Sequence, residues 1–180
     1  GPEKQYGTFP AASLGWILSE QNFLSSNSTL NFFKLRASYG LTDNADIGEF
    51  KWRNLYTGAN YAGLPGTLPS QLGDRSLTWE TTAGANLGLD FGLFSDRLSG
   101  TVDIYHKNTT DLLLDAPIVS TSGFQTIYQN IGSLENKGLE VTLNAKILVG
   151  TLQWTSSFNI AFNKNKILSL VNGQPIYPGG

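Results

Sequence analysis

Asp90 and Asp103 are the acidic pair best placed to act together. Both fall on the polar face of one alternating hairpin, where standard strand geometry sets them diagonally, roughly 7–8 Å apart. Paired carboxylates across such a gap can serve as acid and base in glycoside hydrolysis. A plainer reading competes and is the one expected: a hydrated, charged strand face, shared with Lys34, Arg36, Glu140 and Lys146 at equivalent positions.

Other chemistry-bearing residues are isolated. His106 is the sole histidine and cysteine is absent, so nothing completes a zinc site, and His106 reads as an ordinary strand residue. Gly88 and Gly92 spell a GxxxG motif, but that motif needs a helix and this segment alternates as a strand. Asn27-Ser28-Thr29 and Asn108-Thr109-Thr110 match glycosylation acceptors, a motif too short to carry weight. Phosphate loops, nucleophile elbows and dinucleotide fingerprints are missing. The expectation is therefore no enzyme, with no catalytic, metal-ligating or cofactor-binding residue and no cofactor. Binding is the better prospect. Trp52, Tyr56, Tyr61, Phe124 and Tyr128 sit in two long inserts and could offer flat apolar faces, some with polar tips, to a glycan or a partner protein.

The elements that must position these residues are written as two-faced hairpins. Around Ser95-Asp96, the apolar residues Leu93, Phe91, Leu89 and Leu87 fall opposite Leu98, Gly100, Val102 and Ile104, leaving Asp90 and Asp103 on the other face. Side chains alternate with period two, so a one-residue slip would put every apolar group on the wrong face. A second hairpin turns at Val149-Gly150 and sets Ile147, Ala145, Leu143, Val141 and Leu139 opposite Leu152, Trp154, Ser156, Phe158 and Ile160. Neither turn carries the Asn-Gly signature of a type I′ loop.

Six strands are expected, over 11–18, 32–41, 77–94, 97–114 and the two arms of 137–170. Between them, 42–76 and 115–136 are long inserts, too long for ordinary connections. Charged residues are 14% of the chain, well under the usual share of soluble domains, while aromatics reach 12%. A net charge of −2 leaves no nucleic-acid footprint. No apolar run approaches the roughly 20 residues of a membrane helix, so any membrane contact is made by strands. Without cysteine there is no disulfide framework. The ends, Gly1-Pro2 and Pro178-Gly179-Gly180, read as those of a piece of a longer chain.

Tight turns at one end and long inserts at the other are the layout of an outer-membrane barrel with external loops. Aromatics cluster at strand ends, with Phe33, Phe94 and Trp154 towards the short turns and Tyr39, Trp79 and Phe162 towards the inserts, as in the two girdles of such a barrel. The expected fold is all-β, an antiparallel up-and-down meander of about six strands within a larger transmembrane β-barrel. Residues 1–180 then form part of that barrel, with 42–76 and 115–136 extracellular, lipid on the apolar side, and Lys34, Arg36, Asp90, Asp103 and Glu140 facing the lumen. A soluble β-sandwich that recognises carbohydrate through the same aromatics is the alternative, because alternation alone does not say which face meets water.

Four motifs occur in order: Trp79-Glu80, Asp111-Leu112-Leu113-Leu114, Asn130-Ile131-Gly132 and Glu135-Asn136-Lys137-Gly138. With YGTFPAASLGW and FFKLRASYG before them, they resemble the SusC/RagA family of TonB-dependent outer-membrane transporters, over about residues 6–170. The resemblance implies a large antiparallel barrel with an N-terminal plug, located in the cell outer membrane. It further implies import of glycans or peptides with a SusD-like surface lipoprotein as lid, energised by the TonB complex. This chain departs by omission, since no plug, TonB-contacting segment or closing strand can be read in it. Six strands also fall short of the eight a closed membrane barrel needs. Contact with the TonB complex is expected only through other parts of a full-length chain.

Overall fold

The computed structural model describes residues 7–24, 29–44, 50–61, 63–119, 121 and 123–170. Six strands form one antiparallel sheet in the order β1-β2-β5-β6-β9-β10. They are β1 (Ala11–Ile17), β2 (Leu30–Asn44), β5 (Glu80–Leu93), β6 (Leu98–Thr110), β9 (Ser133–Leu148) and β10 (Trp154–Ser169). The expected meander is present, and each long insert carries a hairpin of its own. β3 (Leu55–Tyr61) pairs with β4 (Leu64–Gln71), and β7 (Leu113–Pro117) pairs with β8 (Thr126–Asn130). Prolines at 65, 69 and 117 and the short strand lengths hide these pairs from an alternation test.

The first main hairpin has the expected register, Leu93↔Leu98 through Leu87↔Ile104. Ser95 and Asp96 both have φ near +60°, the sign that a type I′ turn requires at its two central residues. Phe94 takes φ +56° as well, so three successive residues are left-handed, and Arg97 N–H closes the turn on the Phe94 carbonyl at 3.3 Å without an Asn-Gly sequence. In the second hairpin Phe158 pairs with Leu143 and Ile160 with Val141, two residues away from the expected register. The connection takes up Val149 to Gln153 and a bulge follows at Trp154/Thr155. A two-residue shift preserves parity, so the apolar face survives the correction.

That face is continuous across the sheet. Reading the registers strand by strand gives rows such as Trp16-Leu35-Leu89-Val102-Val141-Ile160 and Leu14-Ala37-Leu87-Ile104-Leu139-Phe162. Nothing covers them among the described residues. Leu14, Leu87 and Ile104 are 72%, 62% and 56% exposed, whereas the only buried hydrophobic side chains among the described residues are Leu77, Leu113 and Ala116, at the roots of the inserts. A soluble sandwich would need a second sheet over these rows, and none is present among the described residues. On the same face Gly100 lies under the Phe91 ring, where a Cβ would come within 2.9 Å of Phe91 Cζ.

The opposite face carries the polar set and uses glycine in the same way. Tyr105, Gly138 and Asn163 are register partners, and the Tyr105 ring crosses Gly138 to donate its hydroxyl to Asn163 Oδ1 at 2.5 Å. A Cβ at Gly138 would stand 2.7 Å from the Tyr105 ring. The Lys137-Gly138 motif thus keeps a slot open for a side chain that bridges three strands.

Candidate functional site

The other shared motifs form a collar where the inserts leave the sheet. The Asn130 side chain accepts from Thr78 N–H at 2.8 Å and donates to the Thr78 and Asp111 carbonyls at 2.9 and 2.8 Å. Glu80 accepts the Leu113 N–H at 2.9 Å and, through its other oxygen, Asn44 Nδ2 at 3.1 Å. Ile131 N–H donates to the Leu112 carbonyl at 2.8 Å. Asp111 and Gly132 take positive φ, 57° and 108°, where the chain turns into and out of β7–β8. Leu77, Leu113 and Ala116 bury their side chains at this level. Backbone groups at a loop root would otherwise need water as partner, so these side chains hold the inserts at a defined angle.

Held there, the two inserts enclose a cleft of about 470 Å³, within the usual size range of small-ligand sites. Lys51, Ser70 and Gln71 line it from the first insert, and Asp115, Phe124 and Tyr128 from the second. Lys51 Nζ sits 4.9 Å from the Tyr128 ring centroid, a cation–π contact joining the two walls. Gln71 Nε2 donates to the Phe50 and Arg53 carbonyls, both at 2.9 Å, and fixes the first wall. The lining offers one cation, one carboxylate, amides, hydroxyls and two aromatic faces. That donor set suits a neutral, hydroxyl-rich or amide-rich ligand.

Of the five aromatics singled out from sequence, the structure brings Phe124 and Tyr128 together in this cleft. Trp52 stacks instead against Arg53, whose Cζ is 4.3 Å from its ring, and Tyr56 is 67% exposed on β3. Tyr61 ends β3, and its side chain lies outside the described residues. Lys51, Gln71 and Asp115 were missed. The signal that could have found them is the insert pairing, which the prolines conceal.

On the polar sheet face, Asp90 and Asp103 do lie diagonally, on β5 and β6, but they do not form a free acid–base pair. Arg36 lies between them, with its guanidinium 2.7 Å from Asp90 Oδ1 and 3.1 Å from Asp103 Oδ1. Arg36 Nε also donates to Asp90 Oδ2 at 2.9 Å. A glycosidase needs one carboxyl free to protonate the leaving group, whereas both here are engaged as acceptors of one cation. The two carboxylates thus belong to an ion triad with Arg36. Space for it comes from Gly88, the register partner of both Arg36 and Asp103, where a Cβ would stand 2.5 Å from Arg36 Cζ. Lys34 pairs in register with Asp90, and Glu140 with Asp103, so these charged residues share one face of the sheet. Lys146 lies further along β9 at the same parity.

His106 is on the apolar-parity face, one row beyond Ile104, with Nε2 3.0 Å from Glu135 Oε2. Lys137 Nζ is 2.9 Å from the other Glu135 oxygen. Glu135 is thus held between His106 and Lys137. Among the described residues no group of His, Cys, Asp and Glu could hold a metal ion.

Comparison with known proteins gives consistent relatives. Residues 2–176 match the family model described as TonB dependent receptor-like, beta-barrel. The chain is 45% identical over its whole length to TonB-dependent receptor P39 of Formosa agariphila and 39% identical over 95% of its length to TonB-dependent receptor SusC of Bacteroides thetaiotaomicron. It spans 18% of the length of each. Among solved structures it is similar to the RagAB peptide importer in the closed-closed state, with a TM-score of 0.87, 32% identity and coverage of 94% of this chain and 19% of that one. The RagAB peptide transporter gives 0.85 and 33%, covering 92% of this chain and 18% of that one.

Proposed function

The chain belongs to the TonB-dependent receptor β-barrel family, and from that premise we propose that it forms six consecutive strands in the wall of an outer-membrane nutrient transporter. The observation that carries the proposal is the apolar face, unbroken from β1 to β10 and uncovered among the described residues, in a sheet whose long inserts leave by one end. Such a face is stable against lipid and costly against water. The ion triad and the Tyr105–Asn163 bridge then line the lumen, where a plug supplied by the rest of a full-length chain would pack. Residues 42–76 and 115–136 lie outside the cell.

In this reading the cleft between the inserts receives part of an incoming oligosaccharide or peptide, or the rim of a SusD-like surface lipoprotein, with Phe124 and Tyr128 as contact faces. The TonB complex acts on other parts of the full-length chain. The cleft's neutral balance and its aromatic and amide lining favour a direct substrate contact. The test is uptake of labelled oligosaccharides and peptides by cells carrying the full-length transporter with Tyr128→Ala and Lys51→Ala. The expected result is a raised half-saturation concentration at unchanged maximal rate for one substrate class. Unchanged uptake with loss of lipoprotein co-purification would move the cleft to the partner interface, and unchanged behaviour in both would overturn its role.

A further inference from the structure

Lysine and arginine are distributed unevenly between the faces of the six-stranded sheet. On the strands, Lys34, Arg36, Lys107 and Lys146 have the polar-face parity, while Lys137, Lys164 and Lys166 have the parity of the apolar face. These last three all lie at the end from which the inserts leave, and no lysine or arginine on the strands takes that parity at the short-turn end. Register places them closely. His106, Lys137 and Lys164 stand abreast on β6, β9 and β10, and Lys166 is one row further out beside Glu135. Neighbouring strands are about 4.8 Å apart and same-face residues about 6.8 Å apart along a strand, so the cluster fits within roughly 10 Å.

Immediately below this row are Ile104, Leu139 and Phe162, again abreast. A groove of about 400 Å³ runs between the two rows, with apolar residues on one side and His106, Lys137 and Lys164 on the other. Three lysines against Glu135 leave the patch positive even with His106 neutral. Glu135 offsets one of the three charges and, by accepting from His106 and Lys137, braces those two side chains. The other residues of that parity in these two rows are Asn108 on β6, Ala85 and Ala83 on β5 and Tyr39 and Leu41 on β2, none of them acidic, and Asp43 on β2 lies one row further out and three strands from Lys137.

We infer that this groove binds a phosphorylated, acylated lipid of the outer leaflet, with acyl chain against Ile104, Leu139 and Phe162 and phosphate among Lys137, Lys164 and Lys166. The inference rests on the membrane reading above. An amphiphile is indicated because the cations border an apolar row on a face that nothing else covers among the described residues, and an anionic headgroup because three lysines converge on a single acid, Glu135. The confinement of outward lysines to one end assigns the lipid to one leaflet.

The test is native mass spectrometry of the full-length transporter released from phosphatidylcholine nanodiscs that contain bisphosphorylated lipid A. Wild type should retain one lipid A, and the triple variant Lys137→Gln/Lys164→Gln/Lys166→Gln should lose it about a hundredfold, at roughly a factor of five for each lysine facing an anionic headgroup. Lys107→Gln, at the same height with the opposite parity, should retain it, and so should the triple lysine-to-arginine variant. Fully dephosphorylated lipid A should be released. Folding of each variant is read from heat-modifiable mobility on gels, and any that fails is replaced by the single Lys164→Gln change. Equal retention by the glutamine variant, or of dephosphorylated lipid, would overturn the inference. A protein that does not enter nanodiscs at all would instead overturn the membrane reading.

Discussion

Replacing Gly88 by valine should remove the space on which the Arg36 guanidinium rests. A Cβ at Gly88 would stand 2.5 Å from Arg36 Cζ and 2.6 and 2.7 Å from its terminal nitrogens. The backbone cannot move to relieve this, because β5 is hydrogen-bonded to β2 on one side and β6 on the other, so the arginine must swing away. It then loses its contacts of 2.7 Å to Asp90 and 3.1 Å to Asp103. A hydrogen bond to a charged group contributes about 1.5–3 kcal/mol net, but these side chains are 35%, 21% and 22% exposed, and solvent screening pulls each contact towards the roughly 0–1 kcal/mol of exposed pairs. The expected loss is about 1–3 kcal/mol, offset in part by valine's better fit to a strand. Urea unfolding of the full-length barrel in detergent, measured for wild type, Gly88→Val, Arg36→Ala and the double variant, reads the coupling between the two positions. In the Arg36→Ala background the valine should cost nothing or stabilise slightly. An equal cost in both backgrounds would refute the claim that Gly88 is small because Arg36 lies over it.

Val102→Arg, in the middle of the apolar face, should destabilise the barrel by about 2–4 kcal/mol and lower its yield in outer membranes. Thr101→Arg on the opposite face should not, and similar yields for the two would count against the assigned faces. Asn130→Ala removes three hydrogen bonds from the insert roots. At about 1 kcal/mol each, it should raise hydrogen exchange across 113–130 at least tenfold while β6 and β9 keep their protection, and unchanged exchange would show that the collar does not hold the inserts. Gly138→Leu should displace Tyr105 from Asn163 and cost about 1–3 kcal/mol in the same unfolding assay, whereas a neutral result would mean that the slot is not needed.

The sheet was legible in the sequence because period-two alternation runs through strands of 13 to 16 residues, long enough for parity to be unambiguous. The register of β5–β6 followed from a two-residue turn, while that of β9–β10 did not, since Val149-Gly150 offers no turn chemistry that fixes loop length and the chain spends five residues there. The insert hairpins were hidden by proline and by their brevity, and with them went Lys51, Gln71 and Asp115 of the cleft. Arg36 could be assigned to a face but not to its partners. Its contact with Asp90 and Asp103 depends on β2 pairing with β5 across residues 45–79, and local pattern does not reveal a pairing of that separation.

The central claim is that the apolar face of this sheet meets lipid and the polar face does not. These 180 residues contain no cysteine, so in a full-length protein with any cysteine elsewhere replaced, nitroxide labels can be attached one at a time at Thr101, Val102, Asp103, Ile104 and Tyr105 of β6 within bilayers. Collision rates with molecular oxygen, which concentrates in the hydrocarbon, should alternate, high at 102 and 104 and low at 101, 103 and 105. The opposite phase, or no alternation along β6, would contradict the account.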